Sequence, residues 1–206
     1  MEFIGKSPRT PPGPLDPAAD AAILRRQARP ISSSYPGEGA IDEAISGTAS
    51  SFTCVVRPEW IDNNGHMNMG YYLVVFDLAT DEWMRVIGLD TAHRQAREVT
   101  TFCLEAHVTY HREVREGDSL RFTTRLLAYD AKRVHYIHEM FHGGAGYLAA
   151  TNELMSLHVS QQTRRGAPMA PEVLERLGRI QRAHDRLPRP PQVGRVMGLG
   201  ARPTTR

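Results

Sequence analysis

Apolar residues in the middle of the chain recur at two different spacings, which separate one long helix from a group of strands. From about Met69 the apolar positions follow a spacing close to 3.6 residues, and this predicts a long amphipathic helix. Gly88 follows the last of these positions and suits a C-terminal cap. The helix is apolar over much of its surface, so we expect it to lie buried against a sheet. Its predicted core residues are Tyr72, Phe76 and Trp83. Their alternative role is to line an acyl pocket or an aromatic cage for a quaternary ammonium group.

Runs of alternating apolar residues predict strands on both sides of this helix. One run precedes the helix at residues 51–57, and four follow it at residues 100–111, 119–129, 133–142 and 147–160. Short turns separate the later runs, so neighbouring strands should be antiparallel. One helix on one face of an antiparallel sheet predicts the α+β class. The order of elements resembles the hotdog fold, in which a sheet wraps around a central helix.

Both ends of the chain differ from the middle in composition. Residues 1–50 are rich in Pro, Gly, Ser and Ala, which predicts an extension with at most a short helix over residues 17–29. Residues 51–162 form the predicted domain. Residues 163–206 carry a further predicted helix, at about 171–183, and then a Pro- and Arg-rich tail that we expect to be disordered.

Composition and charge limit the classes of partner. The formal net charge is only +2 over 206 residues, which gives little support for nucleic-acid binding. No apolar run approaches the roughly 20 residues that span a bilayer, and the N-terminus lacks a secretory signal. The two cysteines, Cys54 and Cys103, lie in apolar runs, so we interpret them as reduced core residues of a cytoplasmic protein.

Polar residues are concentrated between the first strand and the long helix. This segment holds a carboxylate at Asp62, carboxamides at Asn64 and Asn68, an imidazole at His66 and a glycine at Gly65. A helix N-terminus offers unpaired N–H groups and a partial positive charge, which suit a developing oxyanion. A structural role is the alternative: Asp62 or Asn68 caps the helix, and Gly65 permits a turn. The added imidazole and the strand order favour a catalytic site.

These residues resemble the hotdog-fold acyl-CoA and acyl-ACP thioesterases, a group typified by 4-hydroxybenzoyl-CoA thioesterase. Many such enzymes carry an Asp three residues before a Gly at the strand-to-helix junction, as Asp62 and Gly65 do here. Plant acyl-ACP thioesterases carry an Asp-x-Asn-x-His-x-x-Asn signature. Asp62, Asn64 and His66 match its first three positions, and Asn68 falls one place earlier than the last. The likeness covers about residues 50–160.

Three segments are more similar to the betainyl-CoA thioesterases, which occur alone or fused to carnitine dehydrogenase. They are residues 60–68, 105–110 and 130–135. This resemblance implies an enzyme that releases CoA from a small acyl-CoA, with betainyl-CoA as the first substrate to consider. It also implies a homodimer with its sites between the subunits, and no cofactor.

Each candidate residue has an expected role in thioester hydrolysis. Asp62 acts either as general base or as nucleophile. Backbone N–H groups near Gly65 and His66 hold the oxyanion, while Asn64 and His66 orient the water or Asp62. The resemblance implies that Glu113, near the end of the next strand, polarises His66 or acts as a second base, in its own site or in the partner's.

Substrate-binding candidates rest on weaker patterns. Trp60 and Tyr71 flank the motif and are the candidates for an aromatic cage around a quaternary ammonium group. Lys132 and Arg133 could meet the CoA phosphates, although a solvated turn is the competing interpretation.

The histidines predict no metal site, because no spacing of carboxylates or cysteines completes a ligand set. On a strand, His135 and His138 should face opposite sides of the sheet; His107 and His111 share a face, as do His138 and His142.

Two other functions fit the same motif. One is a hotdog-fold hydratase or dehydratase that acts on 3-hydroxyacyl thioesters through Asp62 and His66. The other is a non-catalytic acyl-CoA-binding protein. Release of free thiol from an acyl-CoA separates a thioesterase from both.

Overall fold

A five-stranded antiparallel sheet wraps around one long helix in the computed structural model, which describes residues 52–198 of the chain. The order across the sheet is β1–β3–β4–β5–β2. The strands are β1 (Phe52–Val55), β2 (Val99–Tyr110), β3 (Ser119–Tyr129), β4 (Arg133–His142) and β5 (Leu148–Ser160). The helices are α1 (Met69–Ile87), α2 (Thr91–Arg97) and α3 (Pro171–His184). The predicted α+β hotdog fold is confirmed, and the proposed N-terminal extension lies outside the described residues.

A side-chain cap and a glycine define the two ends of helix α1. The Asn68 side chain accepts a hydrogen bond from the Gly70 N–H at 2.9 Å, so Asn68 is the N-cap. Gly88 ends the helix in the left-handed conformation, with φ 87°, as predicted. Between these caps, Phe76 packs edge-to-face on Phe122 of β3 with ring centroids 5.7 Å apart. The predicted core residues Tyr72, Phe76 and Trp83 are all buried.

Two parts of the chain differ from the prediction. Helix α2 was not predicted, because it lacks a sustained apolar stripe and depends on the Asp90 side chain, which accepts from the His93 N–H at 2.8 Å. Disorder was wrong for residues 188–198, which lie against the outer face of the sheet. Arg125 of β3 donates to the Pro188 carbonyl, and the Gly194 N–H donates to Glu153 of β5 at 2.7 Å. Side chains of β3 and β5 thus form hydrogen bonds with the backbone of a segment whose composition predicted no ordered structure.

Strand β2 is an edge strand and carries exposed apolar side chains, including Phe102, Leu104 and Tyr110. The prediction of a core position for Cys103 was wrong: this residue is exposed because α1 does not cover the edge strand. Both cysteines are free thiols. Within residues 52–198, no helix is long and apolar enough to cross a membrane.

Candidate active site

A tight hairpin loop holds the polar motif in front of α1. The Asp62 N–H donates to the His66 carbonyl at 3.0 Å, and the Gly65 N–H donates to the Asp62 carbonyl at 3.1 Å. Gly65 has φ +82°, the left-handed conformation that closes a three-residue hairpin loop. A Cβ at this position would meet nothing within 4 Å, so the backbone conformation, and not the space, requires glycine.

The Asp62 carboxylate lies inside this loop, half-shielded from water. Its Oδ1 accepts a hydrogen bond from the Asn64 N–H at 2.8 Å and lies 3.8 Å from Nδ1 of His66. Its Oδ2 accepts no hydrogen bond from the part of the chain that the structure describes, and the side chain keeps 22% exposure. The carboxylate therefore has one oxygen fixed by the loop and one oxygen free to take a proton or attack a carbonyl. Asp62 does not cap α1; Asn68 does, which confirms the structural alternative for that residue.

The predicted oxyanion donors differ in availability. The Gly65 N–H is engaged by the Asp62 carbonyl, so it cannot also bind a substrate oxygen without breaking the turn. The His66 N–H, by contrast, has no acceptor within residues 52–198. A free backbone donor next to a carboxylate is the arrangement that stabilises charge on a thioester oxygen.

Long-range hydrogen bonds bring Glu113 to the side of His66. The Met67 N–H donates to the Val114 carbonyl at 2.9 Å, and the Tyr147 hydroxyl donates to the Glu113 carbonyl at 2.9 Å. The Glu113 carboxylate pairs with Arg115 at 2.7 Å, and this partner holds the pKa of Glu113 below its usual value. The nearby His66 lowers the same pKa further. Glu113 thus lies beside the Asp62–His66 pair, while its own hydrogen bonds go to Arg115.

Comparison with known proteins identifies the family to which this chain belongs. A sequence model described as the thioesterase-like superfamily matches residues 56–177. The chain belongs to this superfamily. A betainyl-CoA thioesterase of Pseudomonas aeruginosa is 43% identical over 155 residues, which cover 75% of this chain and 98% of that relative. An L-carnitine dehydrogenase/betainyl-CoA thioesterase of Rhizobium meliloti is 34% identical over 143 residues; these cover 69% of this chain and 29% of that longer protein.

Solved structures agree on the fold. A Staphylococcus aureus protein in complex with CoA superposes with a TM-score of 0.68 at 29% identity, over 72% of this thioesterase and 93% of that chain. A DHNA-CoA thioesterase of Staphylococcus aureus gives a TM-score of 0.60 at 18% identity, over 65% of this chain and 91% of that one, and so supports the fold alone. The predicted thioesterase class is confirmed by the family and the relatives together.

The predicted aromatic cage has a different geometry in this thioesterase. Trp60 is only 4% exposed, and its ring stacks on Tyr71 with centroids 5.9 Å apart and an interplanar angle of 22°. The Arg57 guanidinium lies 5.4 Å from the Trp60 centroid. Two rings that stack on each other do not enclose a cation between them, so a cage at this place stays a prediction.

Within one chain, Lys132 and Arg133 lie at the end of the sheet that is far from the Asp62 loop. The neighbouring Val134 packs in the cluster that contains Ile87, at the C-terminal end of α1, whereas Met140, at the other end of β4, packs with Trp60 and Met67. The Arg133 guanidinium is already paired with Asp130 at 2.7 Å. Contact between these two basic residues and CoA phosphates remains a prediction.

Sequence reasoning missed the residues that anchor the loop from a distance. Val114 is fully buried, and its carbonyl fixes Met67; Tyr147 fixes Glu113. No local pattern indicated that Val114 anchors the loop. Tyr147 could have been suspected, because it is an aromatic residue directly after the glycine-rich turn. His138, which was weighed as a metal ligand, instead contacts Thr80 and Thr124. No group of three His, Cys, Asp or Glu side chains among the described residues could hold a metal ion.

Proposed function

We propose that this thioesterase hydrolyses betainyl-CoA to betaine and CoA at a site centred on Asp62. The observation that carries the proposal is the 43% identity to the Pseudomonas aeruginosa betainyl-CoA thioesterase, which extends over 98% of that relative and includes the Asp62 loop. The half-shielded carboxylate with one free oxygen, next to a free backbone N–H at His66, supports the chemistry.

Asp62 can drive the reaction in two ways. As a general base, it takes a proton from a water that attacks the thioester carbon; as a nucleophile, it attacks that carbon itself and forms a mixed anhydride that water then opens. In both cases the carbonyl oxygen becomes negative and accepts the His66 N–H, the C–S bond breaks, and CoA leaves as the thiolate. The Asn64 N–H holds one oxygen of the carboxylate, and His66 lies 3.8 Å from that oxygen, where it orients the attacking water. Glu113 acts beside His66 in the same subunit.

We also propose that two copies pair along the outer edge of β2. This strand has 12 residues and leaves one row of backbone groups unpaired within the sheet of a single chain. Exposed apolar side chains of α1 and β2 border that edge, namely Met69, Leu73, Phe102, Leu104 and Tyr110. Pairing would satisfy the backbone and bury these side chains, which supports a homodimer.

We place the reaction in the cytoplasm, where CoA esters are formed and thiols stay reduced. The two free cysteines are consistent with this location. Recovery of the native protein in the periplasmic or secreted fraction of its source cells would contradict it.

Thiol release from a panel of CoA esters tests the function. The panel contains betainyl-CoA, acetyl-CoA, crotonyl-CoA and an aromatic ester, and each is assayed with the wild type and with Asp62→Asn. The wild type should release thiol fastest from betainyl-CoA, and Asp62→Asn should lose at least about a hundredfold in kcat while its melting temperature stays unchanged.

Each other outcome has a definite meaning. Full activity of Asp62→Asn removes Asp62 from the mechanism. Hydration of crotonyl-CoA with the thioester intact indicates a hydratase, and binding of CoA esters without any thiol release indicates a non-catalytic protein. Single-turnover hydrolysis in ¹⁸O-water then tests the nucleophilic mechanism: label in the Asp62 carboxylate requires a mixed anhydride, whereas label in betaine alone arises from a base mechanism or from attack of water on the acyl carbon of the anhydride.

A further inference from the structure

One arginine next to the candidate site has a fixed side chain and an unpaired charge. The Arg112 guanidinium lies 3.9 Å from the centroid of the Tyr147 ring, and the Tyr147 hydroxyl donates to the Glu113 carbonyl at 2.9 Å. The backbone N–H of Arg112 donates to the Ala149 carbonyl at 3.1 Å. Arg112 is exposed, and no carboxylate within residues 52–198 pairs with it. A guanidinium that is already held in place and has no counter-ion binds an anion with little further loss of side-chain freedom.

Arg112 lies within reach of the Asp62 loop. It stands two residues before Val114, whose carbonyl accepts the Met67 N–H at 2.9 Å. Since extended backbone spans at most about 3.6 Å per residue, the Cα atoms of Arg112 and His66 are at most roughly 15 Å apart. In an acyl-CoA, the diphosphate follows the pantetheine arm, which extends about 15 Å from the thioester carbon, the span of roughly four extended residues. A diphosphate at Arg112 is therefore compatible with a thioester carbon at Asp62.

Two other arginines near this loop have carboxylate partners. Arg115 pairs with Glu113 at 2.7 Å, and Arg57 lies 3.8 Å from a carboxylate oxygen of Glu59. An anion that binds either guanidinium would compete with that carboxylate. These two positions are therefore weaker anion sites than Arg112.

The glycine-rich turn next to Tyr147 is not a phosphate site in this conformation. Such a turn, at residues 143–146, could offer backbone N–H groups to a phosphate. Each of its N–H groups already donates, either to Ser119 or to His142. A phosphate would have to break these hydrogen bonds.

Arg121 of β3 resembles Arg112 but is directed to the other face of the sheet. Its guanidinium also lies over an aromatic ring, 4.7 Å from the ring centroid. The next residue, Phe122, packs against α1, and side chains alternate along a strand, so Arg121 points to the outer face. The ring beneath Arg112, by contrast, packs against the core cluster that contains Met67 of the Asp62 loop.

We propose that Arg112 binds the diphosphate of the acyl-CoA substrate. A planar guanidinium donates two parallel N–H groups to phosphate oxygens, and the Tyr147 ring holds that plane in position. Arg133, the position that the sequence indicated, is less suitable within one subunit. It lies roughly 23 Å along β4 from Met140, which packs in the cluster of Met67, and this is further than the pantetheine arm extends.

Three esters with the same acyl group test the proposal. They are the betainyl thioesters of CoA, of dephospho-CoA, which keeps the diphosphate and lacks the 3′-phosphate, and of pantetheine, which lacks both. Each is assayed with the wild type, with Arg112→Gln and with Arg121→Gln. Arg121 is the matched control, because it is an arginine over an aromatic ring on the outer face.

Arg112→Gln should lower kcat/KM by about tenfold to a hundredfold for the CoA and dephospho-CoA esters, through KM, because a charge-assisted contact is lost. The pantetheine ester should stay within about twofold, and Arg121→Gln should change no ester by more than about twofold. In the wild type, added salt should lower the preference for the CoA ester over the pantetheine ester.

The substrate pattern separates binding from a structural role. An equal loss on all three esters, no loss on any, or the same pattern in Arg121→Gln overturns the role of Arg112. A loss on the CoA ester alone assigns Arg112 to the 3′-phosphate and overturns the diphosphate. If Arg112→Gln does not fold, Arg112→Lys, which keeps the charge and loses the planar fork, should show a smaller loss with the same pattern. Unchanged values for all three esters in Arg112→Lys then overturn the proposal.

This inference rests on the proposed site at Asp62 and not on the betainyl group. A wild type that rejects betainyl esters but accepts another acyl group overturns the proposed substrate, and the three carriers are then compared with that acyl group. Full activity of Asp62→Asn overturns the proposed site, and the distance argument for Arg112 falls with it. Normal kinetics of Arg112→Gln on every ester, with an inactive Asp62→Asn, overturns this inference alone.

Discussion

Nδ1 of His66 lies 3.8 Å from Oδ1 of Asp62, the same oxygen that accepts the Asn64 N–H. This separation is too long for a hydrogen bond, and a small rotation of the imidazole would close it. The hairpin places both side chains on one short loop, so their geometry depends little on the rest of the sheet.

His66→Ala should lower kcat by about tenfold or more, because Asp62 loses the neighbouring imidazole, which a small rotation would bring within hydrogen-bonding distance. His66→Asn keeps an N–H donor near the position of Nδ1 and should retain more activity than His66→Ala. Steady-state kinetics on betainyl-CoA, with melting temperatures alongside, measure both variants. Equal activity of the alanine and asparagine variants would show that the Nδ1 contact does not matter.

Gly65→Ala should destabilise the protein by about 1 kcal/mol, because φ +82° is costly for a residue with a Cβ. Gly198→Ala is the control: that position also has open space for a Cβ but has no positive φ. Urea unfolding of both variants gives the difference in the free energy of unfolding. Since Gly65 also shapes the loop around Asp62, its variant should lose activity as well, and a Gly65→Ala protein with wild-type stability would contradict the strain argument.

His138 makes the stability of the fold pH-dependent. Thr80 donates its hydroxyl hydrogen to the Phe76 carbonyl, so it accepts from Nε2–H of His138, and Nδ1 accepts from Thr124. Burial lowers the pKa of this neutral imidazole to about 3. The unfolded state, with a histidine pKa near 6.5, therefore binds one more proton between about pH 3 and 6.5, and stability falls as pH decreases through that range.

His138→Gln should flatten this dependence by up to one proton, whatever it does to the absolute stability. Urea unfolding of the variant and the wild type at several pH values between about 4 and 7 gives the two slopes. Identical slopes would assign the pH dependence to other groups.

Leu104→Glu should separate the proposed dimer into monomers. Leu104 is 54% exposed on the edge strand β2, and Val55, on the opposite edge strand β1, is 53% exposed. Val55→Glu is therefore a control of equal exposure on the other side of the sheet. Light scattering after gel filtration should give a monomer for Leu104→Glu and a dimer for the wild type and for Val55→Glu. A wild-type monomer, or the same assembly in all three proteins, would contradict pairing along β2.

Local patterns predicted what local forces decide. The apolar spacing of α1, the left-handed glycine at Gly88 and the alternation of the strands each act over a few residues, and the structure has them where the sequence indicated. The hairpin around Asp62 and Gly65 belongs to the same class, because its hydrogen bonds join residues at most four positions apart. For this reason the central part of the candidate site could be located before the fold was known.

Long-range pairing decided the features of the site and the sheet that local patterns did not predict. Glu113 reaches His66 only because the Met67 N–H meets the Val114 carbonyl, and no periodicity encodes that contact. The apolar run around Cys103 predicted a core residue, but Cys103 is exposed. The position of a strand within the sheet, and not its composition, determines whether the helix covers it.

The sequence alone thus determined the helix, the strands and the loop that carries Asp62, because turn chemistry and side-chain periodicity act between neighbours in the chain. The tertiary structure alone decided which carboxylates surround the site and which strand stays open. Tyr72 and Tyr110 lie far apart in sequence, and only the wrapping of the sheet around α1 brings their rings into edge-to-face contact, with centroids 5.1 Å apart.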